Sequence, residues 1–126
     1  MTHRTGFLVL CLALLSAPPA HAKGKIAFTP KGDGRNQSRP ASCEVQVFQG
    51  SRPDTPFVEL GTIDYHDERH RSRAGSLNLE AVLPTLKARA CQAGAEALVD
   101  VKVTEVRRLE FAMFHVRATV VRLTPN

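Results

Sequence analysis

The stretch from Tyr65 to His70, which reads YHDERH, holds the densest set of side chains that could bind a metal ion. His66, Asp67 and His70 are residue types that coordinate zinc, so they form the candidate metal site. The order differs from the HExxH of zinc proteases, because Glu68 stands third rather than second in the stretch that His66 opens. The PCxxC run that follows H-x-E in zinc deaminases is missing too. Two interpretations stay open: a solvated charged loop, which we favour, and a metal site.

No arrangement of residues in this sequence predicts catalysis. The acids of residues 64–68 lie among the arginines of residues 69–73, which would keep them ionised and unsuited to acid catalysis. There is no serine-centred elbow and no glycine loop that could cradle a phosphate. We therefore predict no enzymatic activity, no catalytic residue and no cofactor, and we keep an unassigned hydrolase as the remaining alternative.

Basic side chains are the other feature that could bind a partner. The formal net charge is +5 at pH 7, yet the chain has one tyrosine and no tryptophan. The stacking platform typical of RNA-binding proteins is therefore missing, and we predict no nucleic-acid partner. We predict instead an anionic envelope component or another envelope protein, against the alternative that the charges only solvate the surface. The candidate binding residues are Arg69, Arg71, Arg73, His115 and Arg117.

The N-terminal 22 residues are typical of a signal peptide. One arginine precedes an apolar run over residues 7–15, and Ala-His-Ala at residues 20–22 fits the small-x-small rule of cleavage sites. The run has about half of the ~20 residues that a membrane span needs, so we expect no transmembrane segment. Cys11 follows a leucine inside the run, which makes it a poor lipid-attachment site. We expect an exported protein that is periplasmic, associated with the outer membrane, or secreted.

The cysteines that remain after export, Cys43 and Cys91, predict a disulfide bond. An even pair in an exported chain is typical of a covalent staple. The bond would close a loop of about 49 residues and stabilise the fold by about 4 kcal/mol. The alternative, a reactive or metal-binding thiol, lacks any CxxC spacing.

After the signal, the chain divides into a tail and one domain. Residues 23–42 are rich in glycine, proline, serine and basic residues, which predicts a flexible basic tail. In the domain, residues 43–126, apolar residues alternate along the predicted strands and recur at helical spacing in one segment. Asn78 is the expected N-cap of that helix, and Gly94 its stop. We predict strands at 43–49, 58–65, 97–106 and 110–123, a helix at 79–93 and an exposed loop at 66–76.

These elements predict an α+β fold of order β-β-α-β-β. A four-stranded sheet, antiparallel or mixed, would carry one helix on its apolar face and leave the other face to solvent. Gly61 is expected to interrupt its strand with a bulge. In the strand that follows the helix, Val99, Val101 and Val103 are expected to point inward.

Four segments of the chain carry a resemblance to a known family. A cysteine opens a valine-rich strand, PFVELGTI follows at residues 56–63, and LKARACQAGAEALVDVKV and FHVRATVVRL follow at residues 86–103 and 114–123. Together they resemble the RcsF-like and YbjQ-type small bacterial envelope domains. The resemblance implies their fold, an envelope location and a link to envelope stress signalling. The heavy-metal-binding label given to YbjQ-type domains adds to the metal-binding alternative.

The first testable prediction concerns export. Cleavage after Ala22 is expected, because Ala20 and Ala22 supply the small side chains that the cleavage site needs. Mass spectrometry of the chain recovered from the envelope should show Lys23 at its N-terminus. An uncleaved or acylated chain would contradict the prediction.

Overall fold

The computed structural model describes residues 24–32, 36–70, 72 and 77–124. The predicted signal peptide with its cleavage site, and the side chains of Arg71 and Arg73, lie outside these residues. The described part is one α+β unit, which confirms the expected class. Its elements are β1 Lys25–Pro30, β2 Gln46–Val47, β3 Phe57–His70, α1 Leu79–Gln92, β4 Ala97–Arg108 and β5 Phe111–Leu123.

The strands form one mixed sheet in the order β1-β3-β5-β4-β2. β1, β3, β5 and β4 pair antiparallel, and β2 runs parallel to β4 at the far edge. The sheet thus has five strands among the described residues, where the sequence predicted four. β2 is only two residues long, shorter than the strand expected over residues 43–49.

The additional strand, β1, comes from the segment that was expected to be a flexible tail. Ile26 and Phe28 are half-buried and pack against the core. The Arg89 guanidinium of α1 lies 4.7 Å from the centre of the Phe28 ring, within reach of a cation–π contact. Residues 23–42 are polar on average, so their composition does not reveal the short alternation of apolar and polar side chains in β1.

β3 continues through residues that were expected to form a loop. It runs to His70, and every residue from Gly61 to His70 lies opposite a residue of β5. Backbone hydrogen bonds to the neighbouring strand hold this segment, whatever its side chains. A polar sequence therefore forms a strand here, and the expectation of a loop over residues 66–70 was wrong.

The helix begins and ends where the sequence predicts. The Asn78 side chain accepts a hydrogen bond of 2.8 Å from the Ala81 amide. Gly94 follows the last turn with φ of +81°, a left-handed conformation that a side chain disfavours. A Cβ atom at Gly94 would also lie 2.5 Å from the Gln37 carbonyl oxygen.

Helix α1 covers one face of the sheet, and the main core lies between them. The fully buried side chains on the sheet include Tyr65, Ile63 and Phe114, and Leu86 is their counterpart on the helix. The predicted disulfide is confirmed: Cys43 and Cys91 are bonded, with 5.9 Å between their Cα atoms. It fixes the helix to the segment that leads into β2.

A bulge in β4 corrects the predicted facing of its valines. The register shifts between Val99 and Lys102, and Asp100 has φ of +51°. Val101 lies in the core under α1, but Val99 packs in a small second cluster. Val103 is 39% exposed. The bulge expected near Gly61 is confirmed, because the β3 register shifts between Glu59 and Gly61.

None of the helices in the described part of the chain is both long and apolar enough to cross a membrane.

The second prediction concerns the disulfide. Reducing the Cys43–Cys91 bond should lower the free energy of unfolding by about 4 kcal/mol, because the unfolded chain regains the entropy of a long loop. Denaturant unfolding of one preparation, measured with and without reductant, gives the difference. Two free thiols in the unfolded, non-reduced chain, or an unchanged midpoint, would contradict it.

Candidate binding face of the sheet

The sheet face opposite α1 is called the open face below. Alternation along each strand assigns side chains to it, and cross-strand pairs share a face because directly opposite residues point the same way. The second cluster, around Val99, covers this face where β4 begins and β5 ends. The rest of the face is largely exposed. The open face carries Asp64, His66, Glu68 and His70 from β3; Phe111, Met113, His115, Arg117 and Thr119 from β5; and Lys102, Thr104, Val106 and Arg108 from β4.

The structure does not bring the candidate metal ligands together. His66 and His70 lie on the open face, whereas Asp67 lies on the helix side and is only 5% exposed. The reason is the extension of β3, since alternation sends odd and even residues to opposite faces. No cluster of three or more histidine, cysteine, aspartate or glutamate side chains in the described ranges is arranged to hold a metal ion.

Asp67 is instead the centre of a buried polar cluster. Its Oδ2 atom accepts a hydrogen bond of 3.1 Å from the Tyr65 hydroxyl, and the Arg69 Nη2 atom lies 3.1 Å away. The Tyr65 oxygen in turn accepts a bond of 3.1 Å from the Gly24 amide. The Arg69 charge is therefore used to balance a buried carboxylate on the helix side, away from His115 and Arg117.

His115 and Arg117, two of the candidate binding residues, lie on the open face, where alternation along the strand places them. The His115 Nε2 atom lies 3.1 Å from Asp64 Oδ1, and the Arg117 Nε atom lies 3.9 Å from the same oxygen. The His66 ring lies beside His115, with 6.3 Å between ring centres. The Asp64 carboxylate is thus divided between two cationic or potentially cationic neighbours.

A groove of about 830 Å³ lies next to these residues on the open face. Lys102 and Arg117 are directly opposite in the β4–β5 register, and both line the groove. Like charges directly opposite in an antiparallel pair destabilise the sheet. The groove therefore places two cations side by side, and Asp64, opposite Arg117 on β3, offsets part of the cost to the fold. Its lining is Gly50, Ser51, Arg52, Asp100, Val101, Lys102, Arg117 and Thr119.

An ion pair between Arg52 and Asp100 joins the segment between β2 and β3 to strand β4 at the groove. Arg52 Nη2 lies 2.8 Å from Asp100 Oδ2, and Arg52 Nε lies 3.3 Å from Oδ1. The two hydrogen bonds form the bidentate arrangement that is specific to arginine. Sequence reasoning missed this pair and Lys102, because only the bulge brings residues 52, 100 and 102 around one groove.

The far end of the open face is apolar. Leu109 in the β4–β5 turn is 90% exposed, Phe111 is 50% exposed, and Val106 and Met113 are each 37% exposed. Contiguous apolar side chains at an exposed sheet end are typical of interaction surfaces. This end belongs to a part of the sheet that extends beyond α1, since residues 102–111 are all exposed.

Comparison with known proteins gives a fold and no family. No protein-family model matches this chain, and no curated protein does. The fold is similar to the crystal structure of a Francisella virulence factor, FvfA, with a TM-score of 0.54 and 16% sequence identity. The match covers 76% of this chain and 97% of FvfA. At this identity the similarity extends to the fold alone.

The third prediction uses the only tyrosine in the chain. Burial, followed by the hydrogen bond with Asp67, raises the pKa of Tyr65 above its usual 10. The unfolded chain therefore loses its tyrosine proton at lower pH than the folded chain. The contribution of this pKa difference to the free energy of unfolding is fully present below pH 10 and should be lost as pH rises through the folded-state pKa of Tyr65.

Titration of tyrosinate absorbance reads this pKa directly. The matched variant is Tyr65→Phe, which should be less stable near neutral pH but lose less stability than the parent above about pH 10. A tyrosine that titrates at its usual pKa in the folded chain, or equal alkaline losses in both proteins, would contradict the prediction.

Proposed function

We propose that this protein is an exported, non-catalytic interaction module of the bacterial cell envelope, and that the groove on the open face binds an anionic envelope component. The observation that carries the proposal is the direct opposition of Lys102 and Arg117 across β4 and β5. An anionic group placed between the two cations would turn a repulsive pair into two attractive contacts.

The neighbouring acids neutralise this pair only in part, because each has another partner and only Asp64 also lies within ion-pair distance of Arg117. Asp100 is engaged by Arg52, and Asp64 lies closer to His115 than to Arg117. Among the described residues, no acidic side chain forms an ion pair with Lys102 within 4.0 Å. The pair thus has capacity for an external anion.

The dimensions of the groove favour a ligand larger than a free ion. Sites for small organic ligands typically enclose ~300–1,000 Å³, and this groove of about 830 Å³ lies within that range. A phosphorylated headgroup supplies the oxyanion that lysine and arginine bind and enough further bulk to occupy the rest of the groove.

Two further observations support the envelope assignment. The Cys43–Cys91 disulfide is compatible with an oxidising, extracytoplasmic compartment. The predicted signal peptide and the resemblance to RcsF-like domains favour the same location, and that resemblance suggests stress signalling as the process in which the module acts.

The fourth prediction separates binding from folding with single substitutions. Lys102→Ala should weaken association with phosphatidylglycerol vesicles at low salt by about 1 kcal/mol, roughly fivefold, because one cation near an anionic surface contributes about that much. The same substitution should leave the fold slightly more stable, by less than about 1 kcal/mol, because it removes a like-charge pair. Vesicle flotation and thermal unfolding measure the two effects.

The matched control is Lys87→Ala, which removes the same charge from α1 on the other side of the sheet. It should leave vesicle binding nearly unchanged, and phosphatidylcholine vesicles should bind neither the parent nor the variants. If Lys102→Ala and Lys87→Ala reduce binding equally, the groove is not the site. If binding of the parent ignores ionic strength, its basis is not electrostatic.

A further inference from the structure

The outer half of β4 has an unpaired edge. On one side β4 pairs with β5 at both of its ends, before and after the bulge, but on the other side β2 covers only Ala97 and Leu98. From Lys102 to Arg108, no other described strand pairs with β4. An edge with free amide and carbonyl groups is a template for another strand.

This edge has charged side chains such as Lys102, which discourage pairing, but its backbone is suited to a further strand. It contains no proline, the bulge at Asp100 lies before it, and the pairing with β5 is regular from Lys102 to Arg108. Val103, Thr104 and Val106 are residue types that favour strands. Its charges are of both signs, so they can attract a second copy in the right register.

We propose that two copies of this chain associate through this edge, antiparallel, with Val106 on the two-fold axis. A two-fold axis perpendicular to the sheet keeps every residue on its own face, so the choice of axis residue fixes the register. The candidates for the axis are Thr104, Glu105, Val106 and Arg107.

Charge complementarity selects Val106 among them. With Val106 on the axis, Glu105 lies opposite the partner's Arg107, and the symmetry repeats this pair. With Glu105 on the axis, the Glu105 side chains of the two copies lie opposite each other, and Lys102 lies opposite the partner's Arg108. With Arg107 on the axis, two arginines meet, and with Thr104 there, no opposite charges within the regular segment Lys102–Arg108 meet. Opposite-charge cross-strand pairs stabilise a sheet and like-charge pairs destabilise it.

The side chains required for this register are available at the surface. The Arg107 Nη2 atom lies 2.9 Å from Glu105 Oε1 within one copy, and the two side chains are 57% and 37% exposed. Each Glu105 carboxylate would then lie between its own Arg107 and the partner's Arg107. The two side chains already lie together in one copy, so association requires little rearrangement of them.

The same register also covers exposed apolar surface. Val106 lies directly opposite Met113 on the open face, and both are 37% exposed. In the dimer, the two Val106 side chains meet at the axis with a Met113 on either side. Four apolar side chains would form a continuous row across the new sheet and lose contact with water.

Cysteine substitution tests the register. In a directly opposite pair the Cβ atoms lie about 4.5–5.5 Å apart, close to the spacing that a disulfide bridges. Under mild oxidation, Val106→Cys should form a covalent dimer, with the bond between the two introduced cysteines mapped by mass spectrometry. The matched control, Thr104→Cys, is exposed on the same face of the same strand and should stay largely uncrosslinked.

Charge reversal tests the contact that selects the register. Glu105→Arg and Arg107→Glu should each abolish the dimer in sedimentation experiments, because each places like charges opposite one another. The double variant carrying both changes should restore it. Both side chains are exposed, so none of these variants should unfold the chain.

Three results would overturn the proposal. One is a parent chain that remains monomeric up to about millimolar concentration. The second is equal crosslinking of Val106→Cys and Thr104→Cys, which would indicate another register or random collision. The third is a double charge variant that associates no better than the single variants.

Discussion

The bulge at Asp100 is the constraint on which the open face depends. Without the additional residue, the alternation that buries Leu98 under α1 would turn Val101 toward solvent and Lys102 into the core. The bulge keeps Val101 inside and brings Lys102 out beside Arg117. Asp100 tolerates the left-handed conformation that this requires, and its carboxylate holds the Arg52 loop over the resulting groove.

The two faces of the sheet consequently have different roles. On the helix side, the buried Asp67 carboxylate is paired with Arg69 and accepts a hydrogen bond from Tyr65, and the disulfide holds the helix in place. On the open face, Lys102 stands opposite a second cation, Arg117, which shares the Asp64 carboxylate with His115, and apolar side chains remain exposed. The open face is the candidate for binding because of the Lys102–Arg117 opposition and the exposed apolar side chains. The family resemblance of the sequence does not enter this argument.

Local signals in the sequence were sufficient for part of this structure. Asn78 and Gly94 mark the helix ends through capping, and two cysteines after a predicted signal peptide predict their own bond. β1 and the end of β3 depend on pairing with strands that are distant in the chain, so their composition does not reveal them. The groove could not be predicted either, because Arg52 and Lys102 become neighbours only through a bulge and a parallel strand at the sheet edge.

Nuclear magnetic resonance titration of the isotope-labelled chain with glycerol phosphate tests the central claim most directly. If the bulge builds an anion site, saturable amide shifts should concentrate at residues 50–52, 100–102, 117 and 119, which line the groove. Shifts that do not saturate, or that spread equally to cations on the helix side such as Lys87, would contradict it.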